Sequence, residues 1–281
     1  LSKLTAAVHE EGGKIAAQLN HGGGNSSAET VEEVLAPSAL GDPYYKRSAR
    51  AMTEEEIIDF IQTFAQAAGR AQAAGFDAVQ IHAAHGYLVS QFTSPLTNQR
   101  SDRWGGSYEN RTRFLREVCR ATREEVGQDY PLFIKFGISD GPQEGLSTAE
   151  GAQIVGQLLA WGLDGVEISG GVKAKSTRMG INKPEKEGYF LPQIQAARPL
   201  TDLPILAVGG FRSRRVMERN LLSGLVDFIS LCRPLICEPG LPQRFKTGEQ
   251  EKSACVSANQ CWPEKQHEGI ACNCPSLSPD S

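Results

Sequence analysis

The chain has 281 residues, 40% of them hydrophobic and 22% charged, with a formal net charge of −4, a balance that suits one large globular core. It offers no basic footprint for nucleic acid, and no apolar run approaches the ~18 residues needed to cross a bilayer, so neither partner is expected. The start, Leu1-Ser2-Lys3-Leu4-Thr5, has neither an initiator Met nor the plan of a signal peptide. The seven cysteines are odd in number and crowd toward the tail, which fits a reduced cytoplasmic setting better than a disulfide framework.

Taken in chain order, Leu1–Glu11 reads as a helix that feeds the short apolar run Ile15–Leu19. Thr53, followed by Glu54, Glu55 and Glu56, caps a helix that runs through Ile57, Phe60, Phe64 and Ala68 and stops near Gly75. Strand Asp77–His82, helix Arg111–Val126, strand Leu132–Ile138 and helix Thr148–Trp161 follow, the last ended by Gly162. Gly165–Ser169 is a strand, Tyr189–Ala197 a helix, Pro204–Val208 a strand, Ser213–Ser223 a helix and Asp227–Leu231 the final strand. Among the cysteines, Cys119, Cys232 and Cys237 fall among elements that read as core. These six βα-type units imply a parallel sheet with crossover helices, either doubly wound or closed as a barrel. Closure takes eight strands, so on the barrel reading two N-terminal strands are absent.

In a parallel barrel the chemistry sits just beyond the strand ends. Those positions hold Asn20-His21-Gly22, His82-Ala83-Ala84-His85-Gly86-Tyr87, Ser139-Asp140, Ser169-Gly170-Gly171, Gly209-Gly210 and Cys232-Arg233. Side chains alternate along a strand, so outward Val79 and Ile81 leave Gln80 and His82 inside. The same parity puts Gln18, Lys135 and Glu167 inside. An inward lysine needs an anionic partner. Either Glu167 supplies it in a salt bridge, or Lys135 faces the electron-rich edge of a cofactor.

Gly209-Gly210 and Arg233 follow the last two strands, where such barrels hold phosphate through backbone N–H groups and a cation. No G-x-G-x-x-G follows a strand, so a mononucleotide fits better than a dinucleotide. On a continuing strand His82 and His85 point oppositely, whereas a turn beginning at Ala83 would bring both over one pocket. Two histidines there can bind a metal or donate two hydrogen bonds to one carbonyl oxygen, and Tyr87 adds a phenol able to give a proton.

Gln18-Leu19-Asn20-His21-Gly22, the run from Ala74 to Leu88, Gln91 to Arg100, Trp104 to Arg111 and Val208-Gly209-Gly210-Phe211 together resemble the Old Yellow Enzyme family of NAD(P)H:flavin oxidoreductases. The likeness is nearest to its bacterial NADPH dehydrogenase and dienoyl-CoA-reductase-like members. It implies an α/β fold, the (β/α)8 TIM barrel, with strands 3–8 present and the first two absent. The partial FMN-binding barrel would occupy 1–248 and a short Cys-containing tail 249–281.

The resemblance further implies FMN as cofactor, NADH or NADPH as hydride donor, and reduction of the activated C=C bond of an enone-type substrate. On it, His82 and His85 hold the substrate carbonyl and Tyr87 is the proton donor. Gln18 bonds the flavin pyrimidine, Lys135 stands where relatives carry arginine facing N1 and O2, and Arg233 with Cys232 binds the phosphate. Gly171, Gly209 and Gly210 complete the cofactor set.

Three departures qualify the likeness: lysine at 135 keeps charge but loses the planar fork, Cys232 replaces a glycine, and the first two strands have no counterpart. The tail resembles a degraded iron–sulfur segment, with Ala258 between Cys255 and Cys261 where a ligand belongs and Cys272 or Cys274 as the distal candidate, so no cluster is expected. Two rival readings stand beside the ene-reductase: a catalytically impaired fragment or partner-dependent subunit, and a metal-dependent barrel hydrolase using His82 and His85. A homo-oligomer is compatible with either flavin reading.

Overall fold

The structure is a computed structural model that describes residues 1–27, 29, 31–45, 47–141, 144–172, 186–258 and 260–261. Its central feature is a six-stranded, all-parallel sheet: β1 (Ala16–Leu19), β4 (Ala78–Ala83), β5 (Leu132–Gly137), β6 (Gly165–Ser169), β7 (Ile205–Ala207) and β8 (Phe228–Ile229). The numbers skip because β2 (Leu35–Ala36) and β3 (Arg50–Ala51) form a separate two-stranded parallel pair, which two-residue strands cannot announce by periodicity.

The spatial order β1-β4-β5-β6-β7-β8 follows chain order throughout. A doubly wound sheet reverses its order at a switch point, whereas a barrel wall does not. The sheet is therefore six of the eight strands of a (β/α)8 barrel, as the motifs implied.

The helices were legible where their ends are chemically marked. α1 spans Ser2–Glu10 and α2 Glu54–Ala73; α2 opens with a complete capping box in which Thr53 and Glu56 exchange side-chain and backbone hydrogen bonds. α3 (Leu88–Thr93) is short and wholly buried. α4 (Tyr108–Val126) starts three residues before the expected Arg111, because Ser107 accepts the Asn110 N–H and sets the cap there. α5 covers Thr148–Gln157; the expected continuation to Trp161 is a separate 3-10 turn, Leu159–Trp161, closed by Gly162 at φ +92°.

α6 (Leu191–Ala197) begins later than Tyr189, because the N–H groups of Gly188 and Tyr189 are drawn to the Gly209 carbonyl. α7 (Arg214–Leu222) has Ser213 as its N-cap residue without a side-chain cap, since the Ser213 hydroxyl donates to Glu187. α8 (Arg233–Cys237) and α9 (Leu241–Thr247) end the helical series.

Parity holds along the sheet. Val79, Ile81, Leu132, Ile134, Phe136, Val166 and Ile168 are fully buried in one core cluster with Ile57, Phe64, Phe114, Leu115 and Val118 of α2 and α4. The opposite face carries Gln18, Gln80, Lys135 and Glu167, which bond to one another. Burying apolar surface at roughly 25 cal/mol per Å² stabilises the outer layer. The inner face is polar, and its side chains bond to one another.

The tail does not simply leave the barrel at 248. Lys252 bridges Ser213, and the Ser253 N–H donates to Arg212 O (2.9 Å), which seats buried Ser253, Cys255 and Ser257 beside the start of α7. Cys119 and Cys237 are buried as expected, but Cys232 is exposed: it is the N-cap of α8, just past the end of β8. Cys272 and Cys274 lie outside the described residues.

Candidate active site at the strand ends

β4 ends at Ala83, and the turn after it decides the site. His85 has φ +60°, a left-handed conformation uncommon outside glycine. It is held by its N–H to Gly170 O (3.0 Å) and by its Nε2, 2.7 Å from Ser169 Oγ. Gly86 is fixed on both sides: its N–H donates to Ser90 Oγ (3.1 Å), and its carbonyl accepts from Asn25 Nδ2 (2.7 Å) and Gln91 Nε2 (2.6 Å). Gln91 is itself fully buried and also accepts the Gly24 N–H (3.0 Å), so loops after β1 and β4 and helix α3 lock together.

The result is the convergence that the His-x-x-His spacing allowed. The His82 and His85 rings lie 5.1 Å apart and His82 and Tyr87 5.0 Å apart, each pair edge to face. His82 Nδ1 accepts the Ala84 N–H (3.3 Å), which fixes the tautomer that carries its proton on Nε2. Burial, reinforced by His85 and Lys135, pushes its pKa down to about 3, so the ring is neutral at ordinary pH. A neutral imidazole with one nitrogen committed to backbone is a directional N–H donor.

On the next strand, in register with His82, Lys135 pairs with Glu167 at 2.8 Å, with side chains only 14% and 9% exposed. The inward lysine thus has Glu167 as its anionic partner on the neighbouring strand. Asp140 is buried beside the loop: it accepts Ser94 Oγ (2.5 Å), the Leu146 N–H (2.7 Å) and the Val172 N–H (2.7 Å), and burial raises its pKa. Gly171 donates its N–H to Ser139 O (2.8 Å), which ties the loop after β6 to that after β5.

At the far strands, Gly209 (φ +129°) and Gly210 (φ +74°) form a turn closed over by the Lys186–Phe190 segment; a Cβ on Gly210 would lie 2.9 Å from Lys186 O. The glycine pair therefore answers backbone and packing needs whatever else it binds. Arg233 reaches Ser257 O at 3.5 Å. Arg212 is buried and, beyond a 3.5 Å contact from Nη2 to Ser253 O, keeps Nε and Nη1 without a partner among the described residues. Ser169 stood among the strand-end residues and Gln91 opened one of the runs that carry the resemblance, but neither was given a role, and Arg212 and Asn25 were not singled out from sequence.

Paired imidazoles and a phenol thus stand at the ends of parallel strands, with the Lys135–Glu167 ion pair on the two strands that follow β4. Residues 1–252 match the family described as NADH:flavin oxidoreductase / NADH oxidase, and the chain belongs to that family. The description of that family names flavin and NADH.

The chain is 34% identical over 260 residues to an NADH oxidase of Thermoanaerobacter brockii, covering 92% of this chain and 40% of that protein. It is 38% identical over 240 residues to an NADPH dehydrogenase of Bacillus subtilis (strain 168), covering 85% and 68%. A structure of 2-naphthoyl-CoA reductase with 2-naphthoyl-CoA superposes with a TM-score of 0.82 at 31% identity, over 88% of this chain and 40% of that one. The chain thus spans well under half the length of two of these three. No helix among the described residues is long and apolar enough to cross a membrane.

Proposed function

We propose that this chain supplies the flavin and substrate sites of an NAD(P)H-dependent reductase acting on C=C bonds conjugated to a carbonyl. The observation that carries the reading is the three-ring cluster of His82, His85 and Tyr87, with His82 fixed as a neutral N–H donor. The chemistry FMN would supply is hydride, drawn from NADH or NADPH, for the β-carbon of the unsaturated compound.

The chain's own residues do the rest. His82 and His85 hold the carbonyl oxygen, on which negative charge grows as the β-carbon is reduced. Tyr87 gives the proton to the α-carbon, and its ring is kept in place against His82. A neutral imidazole suits this role because it stabilises developing charge without competing as an acid.

The residues present fit FMN. Arg212 has two buried nitrogens awaiting an acceptor, it follows the Gly209-Gly210 turn directly, and both it and Arg233 reach the 253–257 segment. This cationic end suits the phosphate, with Gly209, Gly210 and Cys232 offering backbone there. Lys135 and Gln18 would face the ring system. Gly171 would contribute by close approach, since its N–H is held by Ser139. The hydrolase alternative has less support: no group of three or more His, Cys, Asp or Glu able to hold a metal occurs among the described residues.

Two measurements test the reading: FMN titration by fluorescence quenching, and NAD(P)H-dependent reduction of a simple cyclic enone. Stoichiometric FMN with enone turnover is expected. FMN binding without turnover of any conjugated carbonyl would refute the substrate class. No FMN binding would leave the impaired-fragment reading in its place.

A further inference from the structure

The polar side chains on the inner face of the sheet form one continuous chain of bonds. Gln18 Nε2 donates to Gln80 Oε1 (2.6 Å), and Gln80 Nε2 donates to Glu167 Oε2 (3.1 Å). The other carboxylate oxygen, Oε1, accepts from Lys135 Nζ (2.8 Å). Strand register makes this possible, because Gln18 lies beside Gln80 and Lys135 beside Glu167.

A carboxylate only accepts, so it dictates the direction of the whole chain. Gln80 must turn its nitrogen to Glu167 and its oxygen to Gln18. Gln18 must then turn its nitrogen to Gln80, which leaves its own Oε1 as the group to offer a ligand. Glu167 also offsets the charge of Lys135, whose ion-pair partner among the described residues it is.

We infer that Glu167 is a positioning residue of the flavin site: it sets Gln18 with an acceptor oxygen toward the ligand and holds Lys135 with its charge partly neutralised. The inference rests on the reading of Gln18 and Lys135 as flavin-facing residues. An acceptor at Gln18 suits the pyrimidine imide N–H, the one donor on that edge of the ring. A neutralised lysine weakens the positive field where negative charge gathers on reduction, so Glu167 keeps the midpoint potential lower than Lys135 alone would set it.

The test compares wild type with Glu167→Gln, Lys135→Met and Gln80→Met, first without flavin and then loaded with FMN. In Glu167→Gln the amide at 167 gives its oxygen to Lys135 and turns its nitrogen to Gln80, so both glutamine amides reverse. The Gln18 side-chain amide signals in nitrogen-15 NMR therefore move, although residue 167 does not touch Gln18. With FMN bound, Glu167→Gln should favour reduction at least tenfold, about 30 mV positive for a two-electron couple. Lys135→Met should shift the potential negative. Gln80→Met should free Gln18 while leaving the potential near wild type, since the Lys135–Glu167 pair survives, and it serves if Glu167→Gln does not fold. Unmoved Gln18 signals in Glu167→Gln, a change of potential shared in sign by Glu167→Gln and Lys135→Met, or a potential shift in Gln80→Met as large as theirs would each overturn the inference while FMN binding stood. Failure of wild type to take FMN would overturn the flavin-site reading itself, and this inference with it.

Discussion

Replacing His85 by glycine and by alanine separates its backbone role from its side-chain role. Both variants remove the imidazole and its 2.7 Å contact with Ser169 Oγ, whose net worth is ~0.5–1.5 kcal/mol. Only glycine relieves the left-handed φ of +60°, which costs a non-glycine residue roughly 1 kcal/mol. The turn cannot easily relax by itself, because Asn25, Ser90, Gln91 and Gly170 grip residues 85 and 86 from three elements. His85→Gly should therefore be more stable than His85→Ala by about 1 kcal/mol, or about 2–4 °C in Tm for a chain of this size. Parallel urea and thermal unfolding of the two variants measures the difference. Both should lose binding of a phenolate, which mimics the substrate oxygen, to the same extent. Equal stability, or a more stable alanine variant, would mean that the turn relaxes to negative φ and that the clamp does not hold it.

Tyr87→Phe should slow oxidation of the reduced protein by an enone by ~10²–10⁴, while reduction by NAD(P)H stays near wild type; stopped-flow traces of the two half-reactions decide, and equal losses would assign Tyr87 a structural role. His82→Ala should weaken phenolate binding, seen as a fading charge-transfer band with flavin retained. The low pKa of His82 also has a consequence for stability. Its folded value of about 3 lies below the ordinary 6.5, so protons favour the unfolded chain between those limits. Stability from this residue is present above that range and falls with pH inside it, by at most ~1.4 kcal/mol per unit. His82→Asn should flatten that part of the urea-midpoint profile, and an unchanged slope would refute the assignment.

What the sequence determined by itself was whatever depends on near neighbours. The α2 cap could be read because Thr53 and Glu56 are three positions apart, and the inward set of Gln18, Gln80, Lys135 and Glu167 because alternation along a strand is local. The His82–His85–Tyr87 grouping could be foreseen as what a turn at Ala83 would allow, since the three residues lie within six positions of one another. Tertiary structure decided which inward residues meet and which loops are pinned. Asn25 finds Gly86, Gln18 finds Gln80, Ser169 finds His85 and Gln80 finds Glu167 across separations of 61, 62, 84 and 87 residues. Only strand register and loop packing bring such pairs within hydrogen-bond reach, and no spacing in the sequence encodes them. The same holds for α6, which starts later than expected because Gly209 O captured the N–H groups of Gly188 and Tyr189. It holds too for Arg212, an ordinary arginine after a glycine turn until the fold buries it with two nitrogens unmet among the described residues.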